Sequence, residues 1–257
     1  MYYDYIVSAA AKQDAGGICY WGKHNLYDWL CGRIDACFER ERTLKENSRG
    51  SVELLRHKRT GQRVICRRYA GSGEVYRRLM GVSSPNLPAV FETAERGGRV
   101  ITLEEYITGD TLDALLRGCP LTEGETRRIV RDVCAGLWVL HSMAAVHRDV
   151  KPENIILSGD RTVLIDFDSA RMNKPEAAGD TRVLGTIGYA APEQFGLAQS
   201  DCRTDIYAVG VLLNVMLTGE HPSKRLAAGR LGRVVSRCTM MDPNKRYRDI
   251  PHLLPEL

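Results

Sequence analysis

The stretch His147-Arg148-Asp149-Val150-Lys151-Pro152-Glu153-Asn154, with Asp166-Phe167-Asp168 beginning twelve residues after Asn154, decides the reading of this chain. Moving a phosphoryl group requires a carboxylate to orient the attacking hydroxyl, a cation on the transferring phosphate, and oxygen ligands for Mg²⁺. Here Asp149 is the candidate base, Lys151 the cation, Asn154 the first metal ligand and Asp166 the second. One loop and one strand end thus supply every part of a phosphoryl-transfer centre. A merely charged surface loop would not reproduce six ordered positions of H-R-D-x-K-P-x-N with a D-F pair at this spacing.

At 257 residues the chain is long enough for one large domain or for two lobes sharing a cleft. Its net charge of +4 is small and no Lys/Arg run reaches five, which argues against a nucleic-acid partner. The eight cysteines contain no C-x-x-C pair and no clustering with histidine of the kind zinc needs, so they read as reduced thiols. The longest apolar stretch, Ala208 to Leu217, is interrupted by Gly210 and Asn214 and is far below membrane-spanning length. Met1-Tyr2-Tyr3-Asp4 lacks the basic start of a signal peptide. A reducing cytoplasm is the expected location.

Three regions follow from the pattern. Residues 1–42 form an aromatic-rich extension in which Leu26, Leu30, Ile34 and Phe38 recur every four residues, predicting an amphipathic helix. Residues 43–107 carry short β-rich runs (Ser51 to Leu55, Gln62 to Tyr69, Val100 to Tyr106) and one helix of about two turns between Ser72 and Gly81. Residues 108–257 are mainly helical. Thr122-x-x-Glu125 is a capping box opening a helix that ends near His141. Val163-Leu164-Ile165 is a short strand that delivers Asp166, and Asp205 to Leu217 is a buried helix.

These motifs resemble those of the eukaryotic-like protein kinases, over roughly residues 43 to 250, with a wording similar to the bacterial members. The resemblance implies an α+β, two-lobed fold with a small β-rich N-lobe, a mainly helical C-lobe and a shortened helix C. It implies ATP and Mg²⁺, or Mn²⁺, as cofactors and a protein substrate carrying Ser or Thr. Gly185-Thr186-Ile187-Gly188-Tyr189-Ala190-Ala191-Pro192-Glu193 resembles the end of an activation segment, which small-molecule phosphotransferases in general lack. Lys151 two residues after Asp149, with Thr186 beside both, is similar to the serine/threonine class. Asp205 resembles the aspartate that braces the catalytic loop, and Arg246 the arginine that pairs with Glu193. Arg148 before the catalytic Asp implies a loop ordered by an anion, for which Thr181 is the best-placed phosphorylation site.

The departures lie in the N-lobe. Only Gly50 and Val52 fit the Gly-rich loop, with Lys45 and Asn47 where the first two glycines belong. Val64-Ile65-Cys66-Arg67 aligns with V-A-I-K, putting Arg67 at the phosphate-binding lysine and Ile65 over adenine. Glu74 and Glu104 both stand as candidate partners of Arg67. Counting back from Pro85-Asn86-Leu87 instead places Val75 in the helix-glutamate register and Leu79 in the apolar slot after it. Reading Glu105-Tyr106-Ile107 as the hinge makes Glu105 and Ile107 nucleotide contacts and Glu104 the gatekeeper. Asp168 replaces a glycine, either as a restriction on backbone flipping or as an extra metal ligand. The rival to an active enzyme is a nucleotide-binding pseudokinase or scaffold. Oligomeric state is not legible.

Overall fold

The computed structural model describes residues 23–173, 186, 188–195 and 200–257. The chain divides into two compact units: residues up to Val82 together with Ala89–Tyr106, and Ser83–Pro88 together with Ile107–Leu257.

The first unit opens with helix α1 (Lys23–Cys37), followed by strands β1 (Phe38–Asn47), β2 (Gly50–His57) and β3 (Arg63–Ala70). The short helix α2 (Glu74–Leu79) and strands β4 (Val90–Arg96) and β5 (Arg99–Glu105) complete it. The strands form one antiparallel sheet in the order β1-β2-β3-β5-β4. Successive residues of a strand point to opposite faces, and the two faces are covered by different helices. On the outer face Leu30, Ile34 and Phe38 share a core with Leu55, Val64, Cys66, Ala94, Ile101 and Leu103. Burial there pushes the Cys66 thiol up to about 12, so it is packing material rather than a nucleophile. Lys58 Nζ donates to the carbonyls of Asp35 (2.8 Å) and Ala36 (3.0 Å), a cation at the negative end of α1. On the inner face Glu95 holds α2, accepting from Gly73 N (3.0 Å) and Arg77 Nη2 (2.7 Å).

Three expectations change here. The sheet begins at Phe38, ahead of the first β-rich run expected at Ser51 to Leu55; β1 escaped notice because it is largely charged and exposed on both faces, and so shows no apolar alternation. Strand β4 escaped notice because two glutamates and an arginine interrupt its apolar residues, although Val90, Thr93 and Ala94 are buried. Helix α1 ends before Phe38, which starts the strand. Leu26 is 42% exposed and lies outside the core, so the buried stripe is shorter than the four-residue repeat suggested.

The second unit begins, after Ile107, with the two-residue strand β6 (Asp110–Thr111), then helices α3 (Leu112–Leu116) and α4 (Glu123–Ser142). Thr122 and Glu125 form the reciprocal capping box of α4, whose buried stripe includes Ile129, Val133, Leu137 and Leu140. Strand β7 (Ala145–Val146) leads into the catalytic loop. Strands β8 (Ile155–Ser158) and β9 (Arg161–Leu164) carry the chain to Asp166, and β10 (Arg171–Met172) pairs back with β7. Helix α5 (Cys202–Thr218) is buried nearly all round and stops at Gly219 in the left-handed conformation. It packs on α6 (Gly229–Cys238) through Gly210, where a Cβ would collide with the Cys238 side chain. The short helix α7 (Ile250–Leu253) follows.

Candidate active site

The catalytic loop is held from below by Asp205. Its two carboxylate oxygens accept from the backbone N–H groups of His147 (2.9 Å) and Arg148 (2.8 Å), and His141 Nε2 lies 2.8 Å from Oδ2. These bonds sustain the left-handed backbone of Arg148, φ 70°, a conformation costly for a side chain of this size. Burial pushes the Asp205 carboxyl up, but the His141 hydrogen bond, the charges of His141 and His147 and the Arg148 N–H outweigh it, and the group titrates below the ordinary aspartate range. The brace therefore contributes fully above the unfolded pKa of about 3.9 and is lost as pH falls through the lower folded value. Asp205→Asn, which cannot titrate, is expected to flatten the decline of the urea midpoint below about pH 4; an unchanged slope would show that this carboxyl is not the linked group.

Above the brace, four of the expected residues meet. Asp149 Oδ1 accepts from Thr186 Oγ1 (2.7 Å), and Asp149 Oδ2 lies 2.8 Å from Lys151 Nζ and accepts from Asn154 Nδ2 (3.0 Å). Lys151 Nζ also donates to Thr186 Oγ1 (2.7 Å). Asn154 Nδ2 donates in addition to the Asp149 carbonyl (2.8 Å), which commits its nitrogen to the loop and turns its oxygen away as a potential ligand. The Ile165 N–H donates to the Asn154 carbonyl (2.9 Å), so the strand end carrying Asp166 is tied to the metal-ligand loop. Asp166 adopts φ 70°, and the following Phe167 is buried edge-on against His147, ring centres 5.5 Å apart. Asp168 donates its N–H to Asp166 Oδ1 at 3.4 Å.

Asn154 and Asp166 supply oxygen donors of the type Mg²⁺ takes. Among the described residues no group of three or more His, Cys, Asp and Glu could hold a metal alone. That fits an ion that keeps waters and substrate phosphate oxygens for most of its shell.

The end of the activation segment is anchored to the same loop. Gln194 Nε2 donates to the Arg148 carbonyl (2.9 Å), while its Oε1 accepts from Ala191 N (3.0 Å). Glu193 receives a two-pronged bond from Arg246 (Nη1 to Oε1 2.7 Å, Nη2 to Oε2 2.9 Å) and a third from Thr204 Oγ1 (2.9 Å). Thr181 lies outside the described residues.

In the first unit, Arg67 Nε donates to Glu104 Oε1 at 3.1 Å. Glu74 occupies the first turn of α2, with Val75 and Leu79 buried on its packed side. Val52 faces Arg67 across β2 and β3, and Ile65 is buried on the same face. Glu105 accepts from Ala89 N (3.1 Å) through Oε2 and is fixed by backbone pairing to the same residue. Ile107 is buried in the second unit. Gly50 has a local reason to be glycine, since a Cβ would strike the Arg68 carbonyl of the neighbouring strand. The sequence reading missed three supporting side chains: His141, Gln194 and Thr102. Only Thr102 carried a signal, standing two residues before Glu104 and thus on its face of the strand.

Comparison with known proteins agrees with this geometry. The family described as protein kinase domain matches residues 39–248. Serine/threonine-protein kinase pkn2 of Myxococcus xanthus is 30% identical over 208 residues, 74% of this chain and 25% of that protein. PknL of Mycobacterium tuberculosis is 37% identical over 171 residues, 62% of this chain and 43% of that protein. Calmodulin-binding receptor-like cytoplasmic kinase 3 of Arabidopsis thaliana is 34% identical over 194 residues, 66% and 37% of the two chains. The chain thus spans less than half the length of these relatives. A carboxylate above a loop braced by α5, an asparagine turned toward it and a family match running from β1 to residue 248 have one common reading: the chain belongs to the protein kinase family, in its bacterial serine/threonine branch.

Proposed function

We propose that this protein is an ATP- and Mg²⁺-dependent kinase that phosphorylates Ser and Thr hydroxyls of protein substrates. The network joining Asp149, Lys151, Thr186 and Asn154 carries the proposal, because it places a hydroxyl directly on the carboxylate. In transfer, Asp149 orients the substrate hydroxyl and takes its proton as the new O–P bond forms and the bond to ADP breaks. Lys151 places positive charge on the transferring group, and Thr186 holds Asp149 and Lys151 in register. Mg²⁺, held by Asn154 and Asp166, would neutralise phosphate charge. Within the first unit Arg67 is assigned to the nucleotide phosphates and Val52, Ile65 and Glu105 to the base. Thr181 is proposed as the activating phosphorylation site. A cytoplasmic location is proposed from the reading of the cysteines as reduced thiols; among the described residues no helix is long and apolar enough to cross a membrane.

Incubation with radiolabelled ATP and Mg²⁺ or Mn²⁺ is expected to yield phosphoserine or phosphothreonine on the protein itself or on a generic substrate. Labelling no greater than that by Asp166→Ala would overturn the enzyme reading. ATP binding without labelling would favour the scaffold instead.

A further inference from the structure

The inner face of the N-lobe sheet buries an arginine and a glutamate side by side. Arg67 stands directly opposite Thr102 in the ladder between β3 and β5, and Glu104 stands opposite Ile65, one step along the same face. Glu104 Oε1 accepts from both Arg67 Nε (3.1 Å) and Thr102 Oγ1 (2.7 Å). Arg67, Thr102 and Glu104 are 4%, 0% and 2% exposed.

We propose that Thr102 is a positioning residue which, through Glu104, sets the orientation of Arg67 for nucleotide phosphate, and that Arg67 and Glu104 form a unit whose members cannot be exchanged singly. The proposal rests on the assignment of Arg67 to nucleotide phosphate made above.

The argument starts from the carboxylate. A buried carboxylate is tolerated when its charge is compensated and its lone pairs are filled. Thr102 fills one lone pair of Oε1 from the side, which stops the carboxylate rotating and leaves the other lone pair aimed at Arg67 Nε. Nε lies on the flank of the planar guanidinium, so a bond there fixes the plane in which the Nη groups extend. A fork of five donors can serve a carboxylate with its flank and a phosphate with its tip at the same time. A lysine ammonium is a single point charge. Beside Glu104 it would be claimed by the nearer, buried carboxylate. Arginine at 67 and glutamate at 104 are therefore one substitution spread over two positions, with Thr102 as its support.

Calorimetric titration of the full chain with Mg²⁺-ATP tests this without requiring transfer. Thr102→Val is expected to weaken binding about five- to tenfold, the scale of one lost hydrogen bond of ordinary strength, with the defect in transfer assays falling on KM for ATP. Thr102→Ser, which keeps the hydroxyl, should recover most of the loss. Arg67→Lys alone should bind at least tenfold more weakly, and Arg67→Lys with Glu104→Met should regain most of that affinity. Wild-type affinity in folded Thr102→Val, or equal affinity in Arg67→Lys with and without Glu104→Met, would overturn the inference. If Thr102→Val does not fold, the lysine pair decides alone. A wild type that binds no nucleotide overturns this inference, whereas one that binds ATP and shows the pattern but transfers nothing removes the kinase reading and leaves the positioning intact.

Discussion

Asp149→Ala is expected to lower the rate of phosphoryl transfer by about 10²–10⁴-fold, the range associated with a positioned general base. At roughly 1.4 kcal/mol per tenfold, this is about 3–5 kcal/mol of transition-state stabilisation. The lost carboxylate does more than accept a proton. Its Oδ1 receives Thr186 and its Oδ2 sits between Lys151 and Asn154, so its removal leaves three donors without this acceptor. Asp149→Asn separates these roles in part: it keeps one acceptor for Thr186 but turns a donor toward Lys151 and Asn154. Its rate should fall about as far as that of alanine. Single-turnover assays with both variants at saturating ATP are the measurement. Nucleotide affinity should change little, because loss of an interaction made in the transition state lowers kcat rather than binding. A rate within tenfold of wild type in both variants would remove Asp149 from the base role.

Arg246→Ala should be the most destabilising single change outside the catalytic loop. Arg246 and Glu193 have fully or nearly fully buried side chains, 0% and 4% exposed. The guanidinium also donates to the carbonyls of Met240 (2.8 Å), Arg203 (2.9 Å) and Met241 (3.3 Å) and lies 4.9 Å from the ring of Tyr207. Removing one partner of such a pair leaves a buried charge uncompensated, at a cost of about 3–5 kcal/mol. For a chain of this size that corresponds to a fall of roughly 10 °C in melting temperature. Replacing both residues with methionine should cost less than Arg246→Ala alone, since no charge is then stranded. Differential scanning calorimetry of the three variants gives the comparison. A double variant no more stable than Arg246→Ala would show that the backbone carbonyls, and not Glu193, make Arg246 necessary.

The C-lobe was legible because its chemistry sits in contiguous words. Asp149, Lys151 and Asn154 lie within six residues, and their local geometry follows from one loop and one short helical turn. Asp205 and Arg246 were readable by resemblance, and the bonds they make are those their positions implied. The N-lobe was legible only in outline, for physical reasons. β1 runs Phe-Glu-Arg-Glu-Arg-Thr-Leu-Lys-Glu-Asn and pairs with β2 through its backbone, and a strand exposed on both sides has no reason to alternate. The partner of Arg67 could be narrowed to two acids but not chosen, because Glu74 lies on a short helix and Glu104 on a strand, and how a helix packs on a sheet is not encoded in sequence spacing. For Thr102 the sequence offered only its place on the Glu104 face of the strand; its part was legible once its hydroxyl was seen on the Glu104 oxygen that Arg67 uses.

Helix α1 has a consequence for where this protein begins as a physical object. The family match starts at residue 39, yet Leu30 and Ile34 complete the core beneath Leu55, Val64, Cys66, Ala94, Ile101 and Leu103. The unit of folding is therefore longer than the unit of descent. A polypeptide started at the homologous boundary would turn a dry interior into a wet, adhesive patch. Residues on the outer face of the sheet answer to the helix lying on them and owe nothing to phosphoryl transfer. Their packing partner is α1, whereas Arg67 and Glu104 stand on the opposite face of the same sheet.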